Sequence, residues 1–388
     1  MTERVAVKPE VLQWALHRSE RDPSDLSGAA GLKNVHAWLE GSASPTMNQL
    51  QTFAKWTRVP FGKLFLAKPP EEALSLPDFR TVNNRAPEPS ADLIDTIRWV
   101  EVRRDWYVDY LRRHHEDPVE WVGSVKVGQS PRSVADQIRN TLGLKPAIAE
   151  GYKKIQDAIN SISQAIENVG GLVLSSGVVA GNNRRPLDTE DFRGFSVSER
   201  WAPLIFVNGA DTKNGQVFTL AHELAHLFSG TSGVSNPDYT DQTAGRTESW
   251  CNRVAAELLV PKEAHQWERF DGQVPRGTLD TLSRQFNVST VMILVRLKAF
   301  DCVTKESFEK QFGPEVRRAR KLAREAKLSG KSGGGNWYSN QAIRLGKTIA
   351  RSLAVDTYEG GTTYGEALRI AGTRRPETFN ELARTVGV

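Results

Sequence analysis

The sequence predicts a mostly α-helical chain with a small α+β core, three short strands followed by one H-E-x-x-H helix, and helical domains on either side. Three observations predict it. Across residues 149–168, Tyr152, Ile155, Ile159, Ile162 and Ile166 alternate spacings of three and four, which is one face of an amphipathic helix. After Gly170-Gly171, the runs Leu172–Leu174, Phe192–Val197 and Pro203–Asn208 read as a three-stranded sheet. Phe218–Phe228 then carries His222-Glu223-Leu224-Ala225-His226, an H-E-x-x-H pattern inside an apolar helix that opens after Thr212 or Asn214.

Helix geometry gives that pattern its chemistry. Residues four apart lie on one face, so His222 and His226 can aim both imidazoles at a single ion. Catalytic zinc takes three protein ligands and keeps one position open, and the two histidines supply two of the three. Glu223 is offset by about 100° around the helix, where it can reach a water at the metal and act as general base. Surface histidines would be the bland alternative. Two imidazoles and a carboxylate among Leu, Ala and Phe are, however, costly to bury without a shared partner.

A second helix opens near Thr247 and is stopped by Pro261. Within it Glu248 shares a face with Cys251, Asn252, Ala255 and Leu259, whereas Glu257 falls on the opposite side beside Trp250 and Arg253. The face of small and apolar residues is read as inward, which makes Glu248 the third ligand. Asp238 and Asp241 in the connecting loop remain alternatives. Cys251 reads as a small buried residue, and Asn252 as a side chain able to hydrogen-bond a ligand from behind. This ligand set favours Zn2+ over manganese or iron.

The strings L-A-H-E-L-A-H-L-F and E-S-W-C-N-R-V-A-A-E-L-L-V-P, with F-R-G-F and P-L-I-F-V-N before them, resemble the ImmA/IrrE family of bacterial metallo-endopeptidases. The likeness is most specific from Gly151 to Pro261. It implies zinc held by His222, His226 and Glu248, with Glu223 as the base. It also implies limited cleavage of a partner, commonly a helix-turn-helix repressor, and an N-terminal helix-turn-helix in the same chain; some members sit beside toxin-like genes. In metallopeptidases of this kind an edge strand holds the substrate extended. Leu204, Ile205, Phe206, Val207 and Asn208, just before the metal helix, are the candidate edge. The Gly-, Ser-, Thr- and Asp-rich loop 229–246 could close over the cleft. Tyr239 within it is a candidate donor to the developing oxyanion.

The 388 residues suffice for two or three domains. A formal charge of +5 permits nucleic-acid or acidic partners without requiring them. Two cysteines, Cys251 and Cys302, need no disulfide framework, which fits a reducing cytosol and a cytoplasmic location. Neither a signal core nor an apolar run long enough to span a membrane is present.

Residues 1–68 read as a helix-turn-helix-like bundle around Leu12, Leu16, Val35, Trp38 and Leu39. Gly41 ends one helix and Thr46-x-x-Gln49 is a capping box for the next. Lys33, Asn34 and His36 are a thin set for reading DNA, and Ser27–Gly31 is short and glycine-broken for a first motif helix. DNA binding, protein docking and a homodimer all stay open for this domain. Residues 69–147 form a connector: a proline-punctuated linker containing Pro77-Asp78-Phe79-Arg80, then a helix from Ser90. Its Arg98, Arg103, Arg104, Arg112 and Arg113 read as a solvated basic side. His114 and His115 point in different directions and are not read as a metal pair. The metallopeptidase core is placed at 148–265, and a second helix-turn-helix-like unit capped by Ser289 at 266–312. Residues 313–388 hold a basic helix (Glu315–Leu328), a Gly333–Gly335 joint and a last helical unit suited to docking a partner. Two functions follow: a zinc endopeptidase cutting a repressor or toxin-system component, or a DNA-binding regulator or antitoxin that sequesters a partner on a peptidase-like scaffold.

Overall fold

Thr46 shows how local chemistry starts the N-terminal helices. Its side chain accepts from Gln49 N–H at 3.3 Å while the Gln49 side chain accepts from Thr46 N–H at 2.8 Å, closing the expected capping box at the start of the helix Met47–Thr57. The computed structural model describes residues 4–19, 22, 24, 26, 32–79, 88–237, 245–328 and 337–388. These fall into two compact units, Met1–Leu74 with Pro89–Ile94 and Ser75–Glu88 with Asp95–Val388.

The first unit contains α1 (Pro9–Arg18), α2 (Val35–Leu39), α3 (Met47–Thr57) and a 3-10 turn at Phe61–Phe65. Val11, Leu12, Leu16, Trp38, Leu50, Phe53 and Leu64 make its core. Gly41, at φ +74°, terminates the chain path after α2 in a conformation that a side chain would strain. Lys33, Asn34 and His36 are exposed around the five-residue α2. The expected first motif helix at Ser27–Gly31 lies outside the described residues. Glu72 ties the unit together by accepting from Arg18 at 2.6 Å and Lys63 at 2.9 Å.

Helix α4 (Ala91–Arg113) opens where expected, with Ser90 Oγ accepting from Leu93 N–H at 3.0 Å. Its basic side is solvated only in part: Arg98, Arg112 and Arg113 are exposed, whereas Arg103 and Arg104 are buried. The buried Arg104 guanidinium donates to the carbonyls of Ala202 (2.9 Å) and Trp201 (2.6 Å), and Arg113 makes paired bonds to Asp356 at 2.9 and 3.0 Å. Arg103 is also buried and lies over the Trp99 ring at 3.6 Å. Spacing reveals that arginines share a side; it does not reveal that carbonyls wait there to receive them.

The second unit is built on a four-stranded sheet with spatial order β1-β3-β2-β4. Strands β1 (Leu172–Ser176), β2 (Gly194–Val197) and β3 (Leu204–Asn208) are those expected. The fourth, β4 (Gly233–Ser235), comes after the metal helix, in the stretch read as a gating loop. β1 runs parallel to β3, and β2 is antiparallel to both β3 and β4. Phe195 and Phe206 sit opposite each other across β2 and β3 with rings stacked 4.8 Å apart.

This order overturns the assignment of Leu204–Asn208 as the substrate edge. β3 is paired on both sides and every one of its five residues is buried. A continuous apolar run marks burial on both faces, but it carries no information about lateral neighbours. On the outer side of β4 lies Pro77–Phe79, where Asp78 bridges Val234 in parallel.

Around the sheet pack α5 (Pro131–Leu142), α6 (Ile155–Asn168), α7 (Lys213–Ser229) and α8 (Arg246–Leu259). α7 crosses β2 and β3 and lies along α8. α9 (Arg276–Phe286) and α10 (Thr290–Ala299) are joined by Asn287 at φ +53°, with Ser289 Oγ accepting from Met292 N–H at 3.1 Å. Val291, Met292, Ile293, Leu294 and Leu297 of α10 are buried, so this second helix-turn-helix-like pair is part of the core. α11 (Lys305–Leu328) runs through Pro314 and therefore across the boundary expected at 312/313. α12 (Trp337–Leu345), α13 (Lys347–Tyr358), α14 (Tyr364–Ala371) and α15 (Pro376–Thr385) form the last helical bundle, with α12 against β1. The Gly333–Gly335 joint lies outside the described residues. No described helix is long and apolar enough to cross a membrane.

Candidate metal centre

α7 begins at Thr212, whose hydroxyl accepts from Gly215 N–H at 3.1 Å, and ends at Gly230 in the left-handed conformation at φ +70°. Every residue from Gln216 to Phe228 is buried. The turn between His222 and His226 faces α8, and there the first turn of α8 presents Glu248. The two Nε2 atoms stand 3.0 Å apart; Glu248 Oε2 is 3.2 Å from His222 Nε2, and Oε1 is 3.0 Å from His226 Nε2. Ligands bonded to one tetrahedral zinc at about 2.0–2.1 Å would be separated by about 3.3 Å. Among the described residues no other three His, Cys, Asp or Glu side chains converge in this way.

The polar atoms around the cluster fit a cation. His226 Nδ1 and Thr231 Oγ1 are 2.9 Å apart, and with the ring donating, Nε2 is left with its lone pair free. Two imidazole lone pairs facing each other at this distance repel unless a proton or metal lies between them. Glu223 Oε2 is buried with no hydrogen-bond partner among the described residues. Burial disfavours a charge on His222, yet the Glu248 carboxylate, which also accepts a hydrogen bond from the ring, holds the imidazole above its usual pKa, aided by the Glu223 charge and a hydrogen bond with Asn252. Burial likewise opposes ionisation of Glu248, and the two imidazoles outweigh it, keeping the carboxyl well below its ordinary range. The potential that favours a proton here favours a divalent cation in its place.

Glu223 is not one of the three converging ligands. Ser235 Oγ, from β4, donates to Glu223 Oε1. Gly194 of β2 provides the room: a Cβ there would stand 2.5 Å from Thr219 Cγ2 and 3.2 Å from Glu223 Oε1. Phe79 stacks on the His226 ring, centroids 5.5 Å apart and planes 11° from parallel.

Residues 183–298 match the IrrE N-terminal-like domain. This is the Peptidase_M78 family model, and its match takes in β2, β3, α7, β4, α8, α9 and most of α10, hence all of His222, Glu223, His226 and Glu248. It begins after α6 and β1, later than the Gly151 start expected from the sequence. A second family model, described as a domain of unknown function, matches residues 345–385. No curated protein and no solved structure matches the chain.

Within the IrrE N-terminal-like segment the remaining candidates separate by position. Asn252 lies one turn beyond Glu248 and contacts His222. Cys251 is buried, and desolvation, followed by Glu248 and Glu223, pushes its thiol well above the ordinary value, so it stays protonated. Glu257 points away and pairs with Arg296 at 2.7 Å. Asp238, Tyr239 and Asp241 lie outside the described residues. Elsewhere, His114 Nδ1 contacts Tyr110 O at 2.9 Å and joins no cluster with His115.

Sequence reasoning missed Thr231, Ser235, Gly194 and Phe79. For Thr231 a signal existed: it follows the helix-ending Gly230, so its chain direction was readable. Ser235 and Phe79 act through strand pairing, which no local pattern announces.

Proposed function

We propose that this chain is a zinc-dependent endopeptidase that makes a regulatory cut in a partner protein, such as a helix-turn-helix repressor or a toxin-system component. One observation carries the reading. A buried carboxylate, Glu223, is held by Ser235 beside three converging ligands without being one of them. A scaffold that only binds has no use for such a group.

His222, His226 and Glu248 would hold the metal, with Thr231 and Asn252 orienting the two imidazoles. Bound zinc would supply the Lewis acid that polarises the scissile carbonyl and acidifies the attacking water. Glu223 takes the proton from that water and returns it to the departing amine, the work of a general base that becomes a general acid. Ser235 keeps Glu223 Oε1 occupied so that Oε2 faces the reaction.

The rival reading, a DNA-binding regulator or antitoxin, rests on the exposed Lys33, Asn34 and His36 of the first unit. Co-expression with the product of the adjacent gene separates the two. Wild type is expected to leave a discrete cleavage product that Glu223→Gln does not, while the variant retains zinc. Equal cleavage by both proteins would remove the endopeptidase reading. A salt-titrated gel shift on the DNA upstream of the gene tests the rival, and sequence-blind binding counts against it.

A further inference from the structure

β4 is the outer strand nearest the candidate base, because Ser235 at its end bonds Glu223. An extended peptide that added to the outer side of β4 would be delivered past Glu223 and His226. That position is taken by the chain itself. Phe79 N–H donates to Val234 O, and Val234 N–H donates to Pro77 O, both at 2.9 Å. Both free backbone groups of Val234 are thereby used. The Phe79 ring is laid over the His226 imidazole, and it fits because Gly233 has no side chain: a Cβ there would come within 2.2 Å of Phe79 Cε2. A glycine, a strand edge and a histidine face together form an aromatic notch.

We infer that Pro77–Phe79 is a tethered occupant of the substrate strand site, and that the peptide it stands in for is an extended segment with an aromatic residue seated over Gly233 and His226. This rests on the endopeptidase reading for the word substrate, though not for the occupancy. Two backbone hydrogen bonds and the Phe79 ring seat the segment on β4, contacts that a competing extended strand can reproduce. Tethering nevertheless gives the segment an effective concentration on the order of millimolar, so a free peptide at micromolar concentration is excluded from the wild-type chain. The site is closed in the resting molecule and opens when the segment leaves.

The test uses the zinc-loaded full chain and a fluorescent peptide copying residues 75–80, followed by anisotropy. Phe79→Ala is expected to bind this peptide at least tenfold more tightly than wild type, and to bind poorly a version with alanine in place of its phenylalanine. Phe79→Leu keeps apolar bulk without the stacked ring and gives an intermediate affinity if the alanine variant does not fold. In wild type the Val234 amide is expected to be protected from hydrogen exchange, and in Phe79→Ala to exchange at least tenfold faster. Equal affinity of wild type and both variants for the peptide overturns the tethered occupant, and equal affinity for the two peptides overturns the aromatic notch. Cleavage assays separate this from the activity itself. Tighter peptide binding by Phe79→Ala with no cleavage by any form removes the hydrolase and leaves the occupied edge. Identical cleavage rates for wild type and Phe79→Ala remove the occupied edge and leave the hydrolase.

Discussion

Ser235 on β4 reaches back to donate a hydrogen bond to Glu223 Oε1 on α7, so the strand that follows the helix fixes the carboxylate on it. The two residues are both fully buried. A bond to a charged group of this kind contributes about 1.5–3 kcal/mol.

Ser235→Ala should therefore lower kcat about tenfold to a hundredfold, since each 1.4 kcal/mol or so is a factor of ten. KM and zinc content should hardly change, because the Ser235 hydroxyl bonds Glu223, which is not one of the three ligands, and it is Val234 that bonds Pro77 and Phe79. Steady-state kinetics with metal analysis of the same preparations checks this. A variant that loses zinc and turnover together would place Ser235 in metal binding instead.

Thr231 Oγ1 stands 2.9 Å from His226 Nδ1, where it can accept from the ring and leave Nε2 for the metal. Thr231→Val keeps the shape and removes the acceptor for Nδ1, and the expected loss in zinc affinity is about 10- to 100-fold. Competition with a chromophoric chelator measures it. Thr231→Ser, which keeps the hydroxyl, should restore most of the affinity.

Metal removal should destabilise the second unit. A ligand present at about a hundredfold above its Kd adds about 2.7 kcal/mol to the folded state. Scanning calorimetry should show a lower Tm after chelation, recovered by added zinc. In Glu248→Ala the response to chelator should be largely gone, because the third ligand is missing.

Glu167, at the end of α6, has its carboxyl pushed up to about 7, first by burial, against the opposing pull of Lys347 and a hydrogen bond from Thr348 N–H at the start of α13. The folded state thus keeps a proton that the unfolded chain releases near its ordinary value. As pH rises through that window the unfolded state binds fewer protons, so stability falls between about pH 4.5 and 7. At about 1.4 kcal/mol per unit, discounted for partial exposure, the change is on the order of 2 kcal/mol. Glu167→Gln should flatten this part of the stability curve, as read by urea unfolding across the pH series.

How much of this could be read from the chain depended on whether the determinant was local. His222, His226 and Glu248 follow from the 100° step of a helix and from which side is apolar, so two helices could be oriented before their packing was known. The Thr46, Thr212 and Ser289 caps are likewise written within four residues. β4 was illegible: Gly233-Val234-Ser235 carries turn residues, and it is a strand only because β2 and residues 77–79 flank it. Arg104 was misread for the same reason, its carbonyl partners lying nearly a hundred residues away.

The two hydrogen bonds that Val234 makes to Pro77 and Phe79 have a colloidal consequence as well. A molecule whose own segment has left that rim offers an unsatisfied strand to its neighbours, the template from which intermolecular sheets grow. The opened form should therefore be the sticky one: at high concentration Phe79→Ala would form oligomers that the wild-type chain does not, and a bound peptide would disperse them.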